Sequence, residues 1–157
     1  MIIQNRVRVI KFVNAKEIMK VLIVDNERHI LMSLGRCLSD LGYDIECCDN
    51  AIDAKQSYEA FRPDLLIADI SLPVAYSVMP FINKSRGNTA GLELLKYIRL
   101  IKKESTPVMV VSCHSDEGVF NKSFELGVND YAKMPLSISE IEARVKRLTG
   151  SMRLCLN

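Results

Sequence analysis

From Lys20 onward the chain alternates short, nearly unbroken apolar runs with longer stretches whose apolar residues recur three and four apart. The runs are Val21–Val24, Leu65–Ala68 and Val108–Val111; Ile45–Cys48, interrupted by Glu46, reads as a second strand, and Asp130–Lys133 as a more polar fifth. An apolar run without polar alternation is the mark of a strand buried on both faces. Between the runs, Ile30, Leu31, Leu34, Leu38 and Leu41 predict a helix closed by Gly42, and Ala51, Ala54, Tyr58 and Phe61 one capped by Asn50 and ended by Pro63. Leu92, Leu95, Ile98 and Ile101 predict a third helix, and Val119, Phe120 and Phe124 a fourth, capped by Ser115, facing inward and stopped by Gly127. Ile141, Val145 and Leu148 predict a fifth behind a capping box of Ser137 and Glu140. Strict alternation of strand and helix predicts a parallel sheet covered on both faces, since every parallel pair needs a crossover.

Two stretches fall outside this rhythm. Residues 1–19 form an N-terminal extension in which Val7, Val9 and Phe12 alternate only partly with basic residues. Residues 74–90 form a long insertion after the third strand. The remainder, 20–150, is one domain, and 151–157 a C-terminal tail.

A length of 157 residues suits a single core, and 48% hydrophobic with 25% charged residues is ordinary globular composition. A net charge of +2 is too small to argue for nucleic acid, although Arg6, Arg8, Lys11, Lys16 and Lys20 against Glu17 make the extension basic. Five cysteines at these spacings fit neither a disulfide framework nor a paired zinc motif, and read as buried, reduced thiols. No apolar run approaches the roughly 20 residues of a membrane span, and no signal-peptide pattern opens the chain, so the expectation is a soluble, cytoplasmic protein with no membrane partner.

The candidate chemistry lies where the strands end. Asp69, alone, reads as a turn residue after a strand. In a doubly wound sheet, however, the carboxyl ends of strands one, three, four and five converge, bringing Asp25, Asn26, Asp69, Ser112 and the segment Tyr131 to Pro135 to one crevice. Two carboxylates there can share a hard divalent cation such as Mg²⁺. A carboxylate can also take up a phosphoryl group when a metal offsets its charge. Ser112 is placed to hydrogen-bond a phosphoryl oxygen and Tyr131 to change rotamer in response. His29 and His114 lack a second imidazole at ligand spacing, and Cys113 reads as a small residue in a tight spot.

Four motifs in order, Val21 to Glu27, Leu65 to Pro73, Val108 to Ser112 and Gly127 to Pro135, resemble the receiver (CheY-like) domain of two-component response regulators over roughly residues 20–149. The resemblance implies a flavodoxin-like five-stranded parallel sheet of order 2-1-3-4-5 with helices on both faces. It implies Asp69 as phosphoacceptor from a sensor histidine kinase or phosphotransfer protein in a phosphorelay, and Ser112 and Tyr131 as switch residues. Metal ligands by the same resemblance are Asp25, Asn26, Asp69 and the backbone carbonyl of Ser71, holding Mg²⁺, and Pro135 matches a proline that follows a cis peptide bond. Such a domain is no enzyme in its own right beyond self-catalysed phosphoryl transfer and autodephosphorylation.

Two positions depart from the pattern. The second metal-binding acid is Asn26, whose neutral amide weakens metal binding, with Glu27 as a substitute ligand. The phosphate-contacting lysine is Met134, and Lys133, one residue early, is expected on the opposite face. The reading is therefore an atypical, stand-alone receiver with weakened metal and phosphate binding, signalling to a downstream protein through the region of the fourth helix, fifth strand and fifth helix. In the insertion, Tyr76, Met79, Phe81 and Ile82 offer either a lid or a partner surface, with Lys84 and Arg86 in reach of the phosphoryl group, against a plain surface loop. The alternative is a phosphorylation-independent pseudo-receiver acting as an interaction module. A flavin or nucleotide binder is disfavoured because Asp25-Asn26-Glu27-Arg28 repels a phosphate, and nucleic acid is not expected as a partner.

Overall fold

The computed structural model describes residues 18–72, 90–113 and 117–154. The N-terminal extension up to residue 17, the insertion 74–89, the expected cap Ser115, His114, Pro73 and Cys155 lie outside the described residues. The strands are β1 (Lys20–Val24), β2 (Asp44–Cys48), β3 (Leu65–Ala68), β4 (Val108–Ser112) and β5 (Asp130–Lys133). The helices are α1 (Arg28–Asp40), α2 (Ala51–Phe61), α3 (Ala90–Lys96), α4 (Glu117–Glu125) and α5 (Ile138–Leu154), with α3 running on into a π-helical turn, Tyr97–Ile101. The sheet is wholly parallel with order β2-β1-β3-β4-β5, the flavodoxin-like arrangement.

Each strand serves two cores because successive side chains point to opposite faces. Leu22, Val24, Leu66, Ala68, Val108 and Val110 meet Ala54 and Tyr58 of α2 and Leu92, Leu95 and Ile98 on one face. Val21, Ile23, Leu65, Ile67, Met109, Val111 and Ala132 meet Leu34 and Leu38 of α1 and Ile141 and Val145 of α5 on the other. This double burial is why β1, β3 and β4 are unbroken apolar runs, while β2 and β5, at the edges of the sheet, are more polar and more exposed.

Caps follow the sequence signals. Asn50 accepts from the N–H groups of Ile52 and Asp53 at 3.0 and 2.9 Å, and Gly127 ends α4 with φ +83°, a conformation that only glycine adopts without strain. Ser137 accepts from Glu140 N–H at 3.2 Å, but the box is half made: the Glu140 carboxylate is bound by Arg144 at 2.8 Å.

Several side chains lie elsewhere than the periodicity predicts. Leu41 follows α1 and is exposed. Ile101 is 70% exposed, because the π turn, with Lys102 N–H reaching Tyr97 C=O at 2.9 Å, adds a residue to the turn and rotates the stripe away from the sheet. Phe120 and Phe124 are 41% and 43% exposed; α4 turns Ser123 to the core instead, and the two rings pack on Tyr131. Among the described cysteines only Cys48 is buried; Cys47 and Cys113 are exposed, so the expectation of buried thiols fails there and Cys113 fills no tight spot.

At the amino edge, Arg99 ties two connections together, the one entering β4 and the one entering β5. Its guanidinium donates to the carbonyls of Glu104, Thr106 and Gly127 at 2.9, 2.8 and 3.1 Å, and to Asn129 Oδ1 at 3.2 Å. Asn129 Oδ1 in turn accepts from Val108 N–H at 2.9 Å, setting the start of β4.

Candidate functional site at the carboxyl edge

Backbone pairing continues one step beyond the strands and fixes where the site residues leave the sheet. Asp25 N–H donates to Cys48 C=O at 3.1 Å, Asp69 N–H to Val24 C=O at 2.8 Å, and Met134 N–H to Ser112 C=O at 3.0 Å. Asp25 and Asp69 thus emerge side by side from neighbouring strands. Each carboxylate is aimed by a turn of its own: Asp25 Oδ1 accepts from Glu27 N–H at 2.7 Å and Asp69 Oδ1 from Ser71 N–H at 2.9 Å.

Asp25 is buried and Asp69 half-buried. Burial pushes the Asp25 carboxyl up to about 6, against the opposing hydrogen bond from Glu27 N–H; the Asp69 and Glu27 carboxylates push it further and His29 partly offsets them. Such a pair of hard oxygen donors, with the Asp69 carboxylate opposing the charge of Asp25, suits a divalent cation, since Mg²⁺ takes one or two carboxylates and completes its shell with water or phosphate oxygens.

The other expected residues surround the pair unequally. Ser112 is buried at the end of β4, in register with Lys133. Tyr131 is half-buried, its ring edge-on to Phe120 at 4.9 Å and 6.4 Å from Phe124. Lys133 is exposed, whereas Met134 is half-buried against the α1–α5 core. The Met134–Pro135 peptide is cis.

Asn26 and Glu27 part company. Asn26 is exposed and lines a groove of about 540 Å³ with Arg28, Met32, Asp49 and Asp53, between the starts of α1 and α2. Glu27 lines a groove of about 710 Å³ with Cys113, Met134, Ile138 and Ile141, and its Oε2 lies 3.3 Å from His29 Nε2. Among the described residues no group of three or more His, Cys, Asp or Glu side chains stands at metal-holding distance.

The sequence reading missed the aromatic shell of Tyr131. Phe120 and Phe124 carry the same i, i+4 signal as a core stripe, and only the placement of β5 shows that the stripe is spent on one tyrosine.

A doubly wound sheet with an acid pair at its carboxyl edge is the architecture of a receiver. The family model of the response regulator receiver domain matches residues 21–146, and the chain belongs to that family. It is 30% identical over 128 residues to the transcriptional regulatory protein CrdR of Helicobacter pylori, covering 82% of this chain and 54% of that protein. It is also 30% identical over 131 residues to the alkaline phosphatase synthesis transcriptional regulatory protein PhoP of Bacillus subtilis, covering 82% and 48%. The chain therefore spans about half the length of the curated relatives it matches. Among solved structures, a CheY-like receiver domain protein from Methanospirillum hungatei superposes with a TM-score of 0.73 at 20% identity, covering 87% of this chain and 97% of that one. The chemotaxis response regulator CheY4 of Vibrio cholerae gives 0.68 at 21% identity, covering 83% and 98%. Receiver domains act in two-component signalling as phosphoacceptors on an aspartate and generally bind Mg²⁺ at that site. Among the described residues no helix is long and apolar enough to cross a membrane.

Proposed function

We propose that Asp69 accepts a phosphoryl group from the phosphohistidine of a sensor histidine kinase or phosphotransfer protein, and that the chain passes the signal to a downstream protein by contact. The observation that carries this reading is the pairing of Asp69 with Asp25 at adjacent strand ends, sealed by the bond from Asp69 N–H to Val24 C=O. In the transfer, an Asp69 carboxylate oxygen forms a bond to phosphorus as the P–N bond of the donor breaks; the departing imidazole nitrogen keeps the electron pair and is reprotonated. Asp25, Asp69 and the Ser71 carbonyl would hold a Mg²⁺ that neutralises the phosphoryl oxygens, with Asn26 adding at most a neutral amide. Ser112 receives a phosphoryl oxygen as hydrogen-bond donor, and Tyr131 shifts in response. Metal and phosphate binding are weakened relative to a site with a second acid and a lysine, because Asn26 is exposed toward the α1–α2 groove and Met134 brings no charge. A cytoplasmic location belongs to the same reading. The expectation that nucleic acid is not a partner finds no support in the relatives, since CrdR and PhoP are named as transcriptional regulators.

The exposed Lys133 and the apolar Met134 favour the pseudo-receiver as second reading. Titrating Mg²⁺ with and without beryllofluoride, while following the Tyr131 ring by NMR, separates the two. A receiver shows a Mg²⁺-dependent shift of Tyr131 on adding beryllofluoride; a pseudo-receiver shows none. Full signalling by Asp69→Ala in the host also supports the pseudo-receiver.

A further inference from the structure

Gly91, in the first turn of α3, is buried against the loop that leaves β3. A Cβ on it would stand 2.4 Å from the backbone oxygen of Asp69, 2.6 Å from Ile70 Cα and 2.9 Å from the Ile70 carbonyl carbon. All three are backbone atoms, so no side-chain rotation relieves the overlap. A Cβ on Gly35 of α1, by contrast, would meet only side chains, Cys47 Sγ at 3.2 Å and Ile45 Cγ2 at 3.8 Å.

Neither side of this contact has room to retreat. Helix α3 is fastened to the sheet by Leu92, Leu95 and Ile98, all buried in one core. The loop is held at its start by Asp69 N–H on Val24 C=O at 2.8 Å and at its end by Ala90 N–H on Leu72 C=O at 3.3 Å, with Ile70 and Leu72 at 2% and 0% exposure beneath it. Interiors this dense transmit a displacement instead of absorbing it. The atom nearest the added methyl belongs to Asp69 itself, and the Asp69 carboxylate is coupled to the loop through its bond from Ser71 N–H at 2.9 Å.

We infer that Gly91 is a positioning residue for Asp69: its missing side chain lets the first turn of α3 lie directly on the Asp69–Ile70 peptide and so sets the direction in which the carboxylate leaves β3. This rests on the reading of Asp69 as phosphoacceptor. Gly91 touches no phosphoryl group; it acts through the backbone.

The test compares wild type, Gly91→Ala and Gly35→Ala for modification of Asp69 by acetyl phosphate in Mg²⁺, with folding checked by circular dichroism. A misplacement near 1 Å costs up to about a hundredfold in rate, so Gly91→Ala is expected to lower the saturating rate constant roughly tenfold or more. The half-saturating phosphodonor concentration moves less than about threefold, as befits lost orientation and not lost binding. The Ser71 amide resonance moves as well, while Gly35→Ala matches wild type in both readouts. A Gly91→Ala protein modified at the wild-type rate, with its Ser71 amide unmoved, overturns the inference. Should Gly91→Ala fail to fold, Ala90→Gly loosens the same turn without adding an atom: slower modification supports the inference and a wild-type rate overturns it. If wild type itself takes no phosphate on Asp69, the phosphoacceptor reading fails. The Ser71 amide of Gly91→Ala then decides the positioning claim alone, a shift upholding it and no shift overturning it.

Discussion

The N–H of Asp69 donates to the carbonyl of Val24 at 2.8 Å, and Val24 immediately precedes Asp25. One backbone bond between β3 and β1 therefore brings the two acids of the edge together, from strands far apart in sequence. Like charges held so close are stabilised by a cation, and the strength of that demand depends on how many acids converge. Asn26→Asp adds a carboxylate beside Asp25, and we expect it to tighten Mg²⁺ binding by about tenfold or more, worth about 1.4 kcal/mol. Isothermal titration of both proteins checks it; equal affinities would mean that position 26 stays in the α1–α2 groove and never reaches the metal.

Asp25 carries a pH signature. Its carboxyl is pushed up to about 6 from an ordinary 3.8, so the folded protein holds this proton more tightly than the unfolded chain. The favourable contribution is full below about pH 4 and fades as pH rises through 6. Above that the buried charge costs on the order of 3 kcal/mol in the metal-free protein, less whatever water at the open edge recovers. Asp25→Asn should remove that part of the pH dependence and be more stable than wild type at pH 7.5 in EDTA. Parallel denaturation curves for the two proteins from pH 4.5 to 7.5 would contradict the assignment.

The ring of Tyr131 is held by Phe120 at 4.9 Å, and an aromatic pair is worth about 0.5–1.5 kcal/mol beyond its burial. Phe120→Ala should cost about 1 kcal/mol in stability and broaden or shift the Tyr131 ring resonances before any phosphoryl group is added. If Phe120 contributes only surface, both observables stay at their wild-type values.

Much of the architecture was legible in advance, for a physical reason: residues such as Leu22 and Ile67 must be apolar because both sheet faces are covered, and no other strand type produces such runs. The positions of Asp25, Asp69 and Ser112 at strand ends followed from the same rule. Orientation did not follow. Ile101 obeys helical spacing yet faces solvent because the π turn displaces it, and Phe120 obeys it while packing on Tyr131. Nothing in the order Asp25-Asn26-Glu27 reveals that residues 26 and 27 line different grooves, since a helix entry turns successive side chains about its axis. The role of Gly91 was hidden too, because a glycine near a helix start signals a close approach without naming the atom approached.

Arg99 gives a stability test at the opposite edge. Arg99→Ala leaves the carbonyls of Glu104, Thr106 and Gly127 without this donor and should cost about 2–4 kcal/mol. Arg99→Lys should recover less than half, since one ammonium cannot span a fork of carbonyls. Urea denaturation midpoints settle it, and a near-neutral Arg99→Ala would show that water replaces the guanidinium freely.

The central claim concerns the reactivity of Asp69, and peptide mass spectrometry after incubation with Mg²⁺ and acetyl phosphate tests it most directly. The expected result is slow, incomplete phosphorylation that maps to Asp69, requires Mg²⁺ and disappears in Asp69→Asn. Rapid, stoichiometric modification would contradict the weakening assigned to Asn26 and Met134, and no modification of Asp69 from acetyl phosphate or from a phosphohistidine donor would contradict the phosphoacceptor assignment itself.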